Sequence, residues 1–390
     1  MALVLTNTEI AFRSQSDASL QRSYWLFRLI GHPWLVALGT RLMGWALALR
    51  LPVEWLIRAT VFRQFCGGEN LQESLSTVDR LAQFGIGTIL DYSVEASQSE
   101  EAFAQNARVL HQTIALAAQD RRIPFCVFKV TALARFALLE KHDQEILLEP
   151  DEESEWARAR ERVAALCRHA SEAKVRLFFD AEESWIQDTV DDLAYEQMAH
   201  FNRQEPLIYN TVQTYRVDSL NHLKALQKHA SEKGFFVGLK IVRGAYMEKE
   251  RARAERLGKE SPIHATKAKT DEAFDTAVDF VLAHLDRMAL CAGTHNEKST
   301  LHLAQEMDRL QIARQDPRVY FAQLLGMSDH LSFNLSSENY RVAKYVPFGP
   351  VRAVFPYLVR RARENTSVAG QTTRELALIR QERLRRGLGC

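Results

Sequence analysis

Cysteine is scarce in this chain: five residues in 390, at Cys66, Cys126, Cys167, Cys291 and Cys390. They are scattered, odd in number and form no CxxC pair. That excludes a zinc ribbon and a disulfide scaffold and fits a reducing compartment. A surplus of one charge is also missing. Lys+Arg is 50 against Asp+Glu 49, a formal charge of +1, so no bulk cationic surface exists to hold a polyphosphate backbone, and no nucleic acid is expected as a partner. Long apolar runs are absent as well. The most apolar stretch, Leu29 to Leu51, is broken by His32, Arg41 and Arg50, whereas a spanning helix needs ~20 nearly uncharged residues. Packed helices and an interfacial amphipathic helix both fit that stretch. The N-terminus lacks a secretory pattern. The expected location is the cytoplasm, with a peripheral place at the inner membrane as the other option. No GxGxxG follows an apolar run, and no repeat of 20–50 residues or low-complexity segment is visible.

What is present is an ordinary globular composition, 46% hydrophobic and 25% charged. The length allows two or three domains, or one large one with an extension. Residues 1–84 read as a helical extension, in which Trp25, Leu26, Leu29, Ile30 and then Trp34, Leu35, Leu38, Leu42 recur at helical spacing. From residue 86 the texture changes to short β-prone runs, each followed by an amphipathic stretch. The runs are Ile86–Tyr92, Phe125–Val130, Val175–Asp180, Ile208–Gln213, Phe236–Val242, Met288–Thr294, Val319–Gln323 and Val342–Val346. Several are continuously apolar, as in strands buried on both faces. Strands alternating with helices in this number predict an α/β fold, a (β/α)8 TIM-like barrel over residues 85–368. A doubly wound sheet is the competitor, without its nucleotide fingerprint. A basic tail, 369–390, follows; its arginines, Arg374 to Arg386, predict a solvated helix.

Polar residues gather at the end of these runs: Lys129; Asp180-Ala181-Glu182-Glu183; Gln213; Lys240 to Tyr246; Thr294-His295-Asn296; Gln323 to Met327; Tyr345. In a closed barrel those ends share the rim where barrel enzymes work. Beyond the last run, Tyr357, Arg360, Arg361 and Glu364 fall at i, i+3, i+4 and i+7, on one helix face. Paired guanidiniums with a Tyr wall suit a small carboxylate; a solvated face with an Arg360–Glu364 pair is the plainer alternative. Pro356 opens or kinks this helix. Arg243-Gly244-Ala245 offers a cation beside backbone that an anion or flat ring can approach, although an ordinary strand end would look the same. His295 invites a metal with Asp180 and Glu183, but no HxH or HExxH spacing exists, so no metal is expected.

Taken together and in order, the motifs Asp180-Ala181-Glu182-Glu183, Gln213-Thr214-Tyr215, Val242-Arg243-Gly244-Ala245-Tyr246, Thr270-Asp271, Thr294-His295-Asn296, Gln323 to Met327 and Tyr357 to Arg361 with Glu364-Asn365 resemble the proline dehydrogenase family of flavoenzymes. The resemblance runs from about residue 86 to 368. It implies a distorted (β/α)8 barrel holding FAD non-covalently, in a monofunctional chain similar to mitochondrial forms. It implies that Lys129, Arg360 and Arg361 bind the carboxylate of L-proline, that Tyr345 and Tyr357 wall its ring above Leu325, that Asp180 holds the basic pair, and that Glu364 hydrogen-bonds within the site. Ala181, Gln213, Lys240, Val242, Arg243, Gly244, Ala245, Thr294, His295 and Asn296 are implied to hold FAD, with Thr266 and Lys267 at its phosphate or adenine end. Two residues depart from the family pattern: Lys240 stands where many bacterial members carry Arg, and Phe274 replaces a commoner Tyr.

The implied reaction moves hydride from the carbon beside the ring nitrogen to flavin N5, giving Δ1-pyrroline-5-carboxylate, and then electrons to a quinone. Cofactor chemistry does the hard step and the protein positions. A neutral amine is needed, so activity is expected to rise with pH. Tyr345 argues for proline over 4-hydroxyproline by filling the space of the extra hydroxyl. The alternatives are a 4-hydroxyproline dehydrogenase, a metal-dependent barrel hydrolase or aldolase using Asp180, His295 and Lys129, and a membrane-associated scaffold.

Overall fold

The computed structural model describes residues 3–94, 98–367 and 371–389, with side chains for all of these except 363–367, 371 and 372. Eight parallel strands close into a barrel in the order β1 to β8. They are β1 (Ile86–Tyr92), β2 (Phe125–Phe128), β3 (Arg176–Phe179), β4 (Ile208–Gln213), β5 (Val237–Val242), β6 (Met288–Gly293), β7 (Val319–Leu324) and β8 (Val342–Phe348). Each coincides with an apolar run of the sequence to within two residues. The α/β TIM-like barrel is therefore the fold.

By compactness the chain forms two units: Met1–Glu95 with Gln323–Cys390, and Ala96–Ala322. The second unit carries β2 to β6 and shows how the barrel is filled. Phe125 on β2 and Tyr320 on β7 have ring centres 4.8 Å apart, although their strands are not neighbours; they meet across the interior. Phe178 stacks on Phe125 at 4.5 Å, and Tyr209 closes edge-on to both. Side chains alternate along a strand, so residues two apart share a face. The inward face of β3 is thus Arg176, Phe178 and then Asp180; that of β4 is Tyr209, Thr211, Gln213; that of β5 is Gly238, Lys240, Val242. Gly238 is required there, because a Cβ would lie 2.5 Å from the Tyr209 ring. The aromatic layer blocks the amino-terminal half of the interior.

The helices between these strands begin where their caps allow. The acidic stretch at 149–155 forms the cap and first turn of the Pro150–Glu172 helix, where Glu149 and Glu152 form a reciprocal capping box. At the opposite end of the Ser184–Phe201 helix, Asn202 is fully buried and its amide pins four backbone groups. Its Nδ2 donates to the carbonyls of Ile208 (2.7 Å) and Phe236 (3.0 Å), and its Oδ1 accepts from the N–H groups of Leu207 (3.0 Å) and Ile208 (2.8 Å).

In the other unit β1 pairs with β8 along their whole length, Ile86 against Val342 through Tyr92 against Phe348. The helices Asp17–Ile30 and Pro33–Ala48 pack beside the helix Val351–Ser367 through Ile30, Val36, Met43, Leu47, Val354 and Leu358. Of the residues at helical spacing in the sequence, Leu26 and Ile30 pack inward with this cluster, and five others do not. Trp25, Leu29, Trp34, Leu38 and Leu42 face outward, and Trp34, Trp45 and Trp55 are 65%, 66% and 69% exposed. The Pro33–Ala48 helix carries Arg41 as its one charged residue and is otherwise nearly all apolar, so periodicity gives little contrast between its inner and outer faces. The basic tail is also corrected. Its helix, Gln371–Arg385, is docked: Leu378 and Ile379 pack with Leu20, Tyr24 and Phe27, while the Arg383 guanidinium lies 3.9 Å from the Tyr24 ring centre. Arginines with long apolar stems cover such a surface without being solvated.

Asn202→Leu should destabilise the protein by about 3 kcal/mol, since it strands several buried backbone groups at once. Urea denaturation followed by far-UV circular dichroism measures it; a loss below about 1 kcal/mol would contradict the pinning role.

Candidate active site

In the Ala96–Ala322 unit the side chains one layer above the aromatic plug are charged. Lys240 is buried on β5, with its ammonium 5.3 Å from the Phe178 ring centre and 2.6 Å from Asp180 Oδ1. Asp180 comes directly after β3, two residues beyond Phe178, so the alternation that buries the ring aims the carboxylate at the same interior. At the end of β4, the Gln213 amide donates to the Glu182 carbonyl at 2.7 Å and accepts from the Ala245 N–H at 3.3 Å. It ties the segment after β3 to the segment after β5.

Arg243 is fully engaged on one side. Its Nε donates to Asp271 Oδ1 (2.6 Å), and its two terminal nitrogens donate to Thr294 Oγ1 (2.6 Å) and Ser299 Oγ (2.8 Å); the guanidinium lies 4.5 Å from the Phe274 ring centre. Burial pushes Asp271 up, but hydrogen bonds from Lys267 and Arg243 outweigh it and hold the carboxyl below its ordinary range. Asp271 belonged only to a motif in the sequence; its role as the anchor of Arg243 is visible in three dimensions. Gly244 follows with φ +136°, and a Cβ there would sit 2.5 Å from the Tyr215 ring. Conformation and space both demand glycine. Gly244 and Ala245 are exposed, leaving their backbone approachable.

Asn296 caps the Glu297–Arg309 helix: its Oδ1 accepts from the N–H groups of Lys298 (2.8 Å) and Ser299 (3.3 Å). Thr266 caps the Lys267–Ala283 helix by accepting from the Lys269 N–H at 3.3 Å. Thr266 and Lys267 are exposed, and Val242 and His295 are half-buried at the ends of their strands. These donors are cations, amides and helix starts, and Ala181, just after β3, is buried. A planar cofactor carrying phosphates asks for such a set, so the residues present fit FAD.

Glu182 was passed over in the sequence except as part of a motif. It is buried, accepting from the Thr131 N–H at 3.0 Å and the Thr131 hydroxyl at 2.5 Å. Burial pushes its carboxyl up to about 7, against the pull of the half-buried Lys129 and of Thr131. Lys129 follows β2 and opens the short turn Val130–Ala132.

The other unit carries the carboxylate-clamp residues. The helix Val351–Ser367 contains Pro356 inside it rather than at its start. The spacing puts Tyr357, Arg360 and Arg361 on one face as expected. Tyr357 is buried, with the Arg361 and Arg360 guanidiniums 5.3 Å and 5.9 Å from its ring centre. Arg361 is buried and Arg360 half-buried, so neither is turned out into bulk water. Tyr345 on β8 is buried, and its carbonyl accepts from the N–H of Leu325, also buried, at 2.9 Å. The Glu364 side chain lies outside the described residues.

Comparison with known proteins places the chain in a family. Residues 74–374 match the family described as proline dehydrogenase. The chain belongs to the proline dehydrogenase family. Its relatives include the carbapenem antibiotics biosynthesis protein CarD of Pectobacterium carotovorum subsp. carotovorum, 35% identical over 83% of this chain and 84% of that one. They also include the mitochondrial proline dehydrogenase 1 of Dictyostelium discoideum, 33% identical over 87% of this chain and 67% of that one. The hydroxyproline dehydrogenase of Xenopus laevis is 31% identical over 96% and 88%. Among solved structures, proline utilization A from Bdellovibrio bacteriovorus superposes with a TM-score of 0.73 at 21% identity, over 81% of this chain. This chain spans about a third (34%) of that protein, and the likeness speaks for the fold. Family membership makes the protein an oxidoreductase acting on proline.

The raised Glu182 carboxyl has a sign that can be checked. A carboxyl whose folded pKa lies above its unfolded value contributes full stability below about pH 4.5 and loses it as pH rises to about 7. Glu182→Gln should flatten the pH dependence of unfolding free energy between pH 5 and 7; a variant keeping the wild-type slope would sink the assignment.

Proposed function

We propose that the protein oxidises L-proline to Δ1-pyrroline-5-carboxylate using non-covalently bound FAD, and passes the electrons to a quinone. The observation that carries this reading is the buried Arg361 beside half-buried Arg360, both against the Tyr357 ring. Two forked guanidiniums drawn largely out of water against one aromatic ring suit a planar anion. Proline offers one. Its carboxylate is taken by Arg360 and Arg361, with Lys129 as the third cation, and its apolar ring rests against Tyr345, Tyr357 and Leu325. Fixing the carboxylate orders the ring before reaction, a proximity effect.

Lys240, Arg243, Gln213 and the backbone at Gly244 and Ala245 hold FAD, together with Val242, Ala181, Thr294, His295 and Asn296; Thr266 and Lys267 serve its phosphate end. When bound, the flavin supplies the hydride acceptor. Asp180 and Asp271 keep Lys240 and Arg243 in place, and the positive charge of Arg243 favours an anionic partner by Coulomb attraction. The Tyr345 ring excludes a hydroxyl on the substrate ring. The hydroxyproline dehydrogenase relative keeps 4-hydroxyproline as the second reading, and kcat/KM for the two substrates decides between them.

A quinone acceptor is a lipid-soluble molecule, and the outward face of the Pro33–Ala48 helix suits a lipid surface. Trp34, Leu38, Leu42 and Trp45 lie exposed along it, with Trp25 and Trp55 nearby in sequence and also exposed. Residues 18–53 contain Arg22, Arg28, Arg41 and Arg50 and no acidic residue. Tryptophan with arginine beside an apolar stripe is the composition of an interfacial helix drawn to anionic headgroups. Among the described residues no helix is long and apolar enough to cross a membrane, so the contact is peripheral.

The purified protein should be yellow and bleach anaerobically on adding L-proline. Arg361→Ala should raise KM for proline roughly 30-fold, the equivalent of about 2 kcal/mol for a charged hydrogen bond, with the colour retained. Colourless protein, or an unchanged KM, would refute the reading. Trp34→Ser/Trp45→Ser/Trp55→Ser should abolish co-sedimentation with vesicles containing anionic lipid while leaving turnover with a soluble acceptor intact; sedimentation equal to wild type would remove the membrane from the proposal.

A further inference from the structure

The turn that follows β7, residues 324–328, carries Leu325 and is fastened from outside the barrel. Lys344 on β8 is fully buried, and its ammonium donates to the carbonyls of Met327 (2.6 Å) and Leu324 (3.3 Å) while pairing with Asp329 Oδ1 at 2.8 Å. Along the same strand Tyr345 points to the opposite face. Gln64 donates from Nε2 to the Gly326 carbonyl at 3.0 Å, and Ser23 holds the other end of that amide at 3.1 Å. Gly326 has φ +75°, and a Cβ there would meet the Gln64 carbonyl at 2.1 Å. Ser328 stands in the left-handed region at φ +51°, and its N–H donates to the buried carboxylate of Glu375. Burial raises the Glu375 carboxyl, with His330 and Lys344 pulling it down and Asp329 pushing it up.

Stability alone does not account for this. A buried cation costs several kcal/mol to desolvate, and apolar replacements of buried ion pairs are often as stable. The neighbours of Lys344 on its own face of β8 are Val342 and Val346, so an apolar residue would suit the strand. Non-glycine residues at positive φ persist where the surroundings over-determine them, commonly beside working sites. Gln64, Ser23 and Glu375 all lie outside the segment shared with the family, 74–374.

We propose that Gln64, Lys344 and Glu375 are positioning residues for the substrate: they clamp the 324–328 turn and so fix Leu325, and with it the Leu325 to Tyr345 backbone link, as the floor of the proline site. The N-terminal extension and the C-terminal helix are thereby parts of the substrate-binding apparatus. The proposal rests on the proline-oxidation reading. It excludes direct chemistry for the three, since each acts through backbone atoms of the turn.

The test is steady-state kinetics with L-proline and hydrogen exchange of the peptide spanning the turn, on the full flavin-loaded chain. Glu375→Ala and Gln64→Ala should raise KM five- to tenfold with kcat within twofold, and speed exchange of the turn amides. Glu375→Gln, which keeps an acceptor for the Ser328 N–H, should stay within twofold of wild type in both. Lys344→Met should resemble Glu375→Ala; if it does not fold, the two milder variants decide. Variants that lose thermal stability with KM unchanged, or that loosen the turn without moving KM, overturn the proposal. A wild-type enzyme that does not oxidise proline would instead fail the parent reading, and the exchange arm would still report whether the clamp exists.

Discussion

Four rings that meet across the barrel, Phe125, Phe178, Tyr209 and Tyr320, are the constraint on which the candidate site depends. They fill the amino-terminal half of the interior. Because a strand turns every second side chain to the same face, the residues two positions further on are delivered to the same interior, one layer higher. Asp180 follows Phe178, Thr211 and Gln213 follow Tyr209, and Lys240 follows the glycine that makes room for the Tyr209 ring. A hydrophobic layer thus sets the height and direction of polar residues, and it lowers the local dielectric beneath them, so that the Lys240–Asp180 pair interacts more strongly than it would in water.

Charged groups in this protein are seldom left to solvent once they approach the barrel. Arg243 is tied to three side chains, Lys344 to two carbonyls and a carboxylate, and Arg361 lies against a tyrosine ring. The cost of removing such groups from water is met by specific partners, which also fix where the charge points. Fixed charges need no rearrangement when an anionic substrate or cofactor arrives, and that absence of reorganisation is what electrostatic binding and catalysis exploit.

Legibility in the sequence followed the physics of each element. The eight strands could be read because fully buried parallel strands are short, continuously apolar and bounded by polar loops; Ile86–Tyr92 and Ile208–Gln213 were located to the residue. The clamp helix could be read because i, i+3, i+4 spacing is a local property of the backbone. The Pro33–Ala48 helix could hardly be resolved into faces, since Arg41 is its one charged residue among nearly continuous apolar positions. The C-terminal helix was misread as solvated because nothing local distinguishes an arginine that snorkels over Tyr24 from one in water.

The order of apolar runs and the polar residues that end them determined the barrel class, since period and spacing are written in the chain itself, while the family showed as a resemblance carried by the ordered motifs. Tertiary structure alone decided which polar groups became partners: Lys240 with Asp180 across 60 positions, Arg243 with Asp271, Thr294 and Ser299, and Glu375 with Ser328. Those pairings depend on desolvation and on the closure of the fold, and neither is encoded at any single position. A side chain's charge is fixed by its chemistry, but what it meets is fixed by the packing that removes water around it.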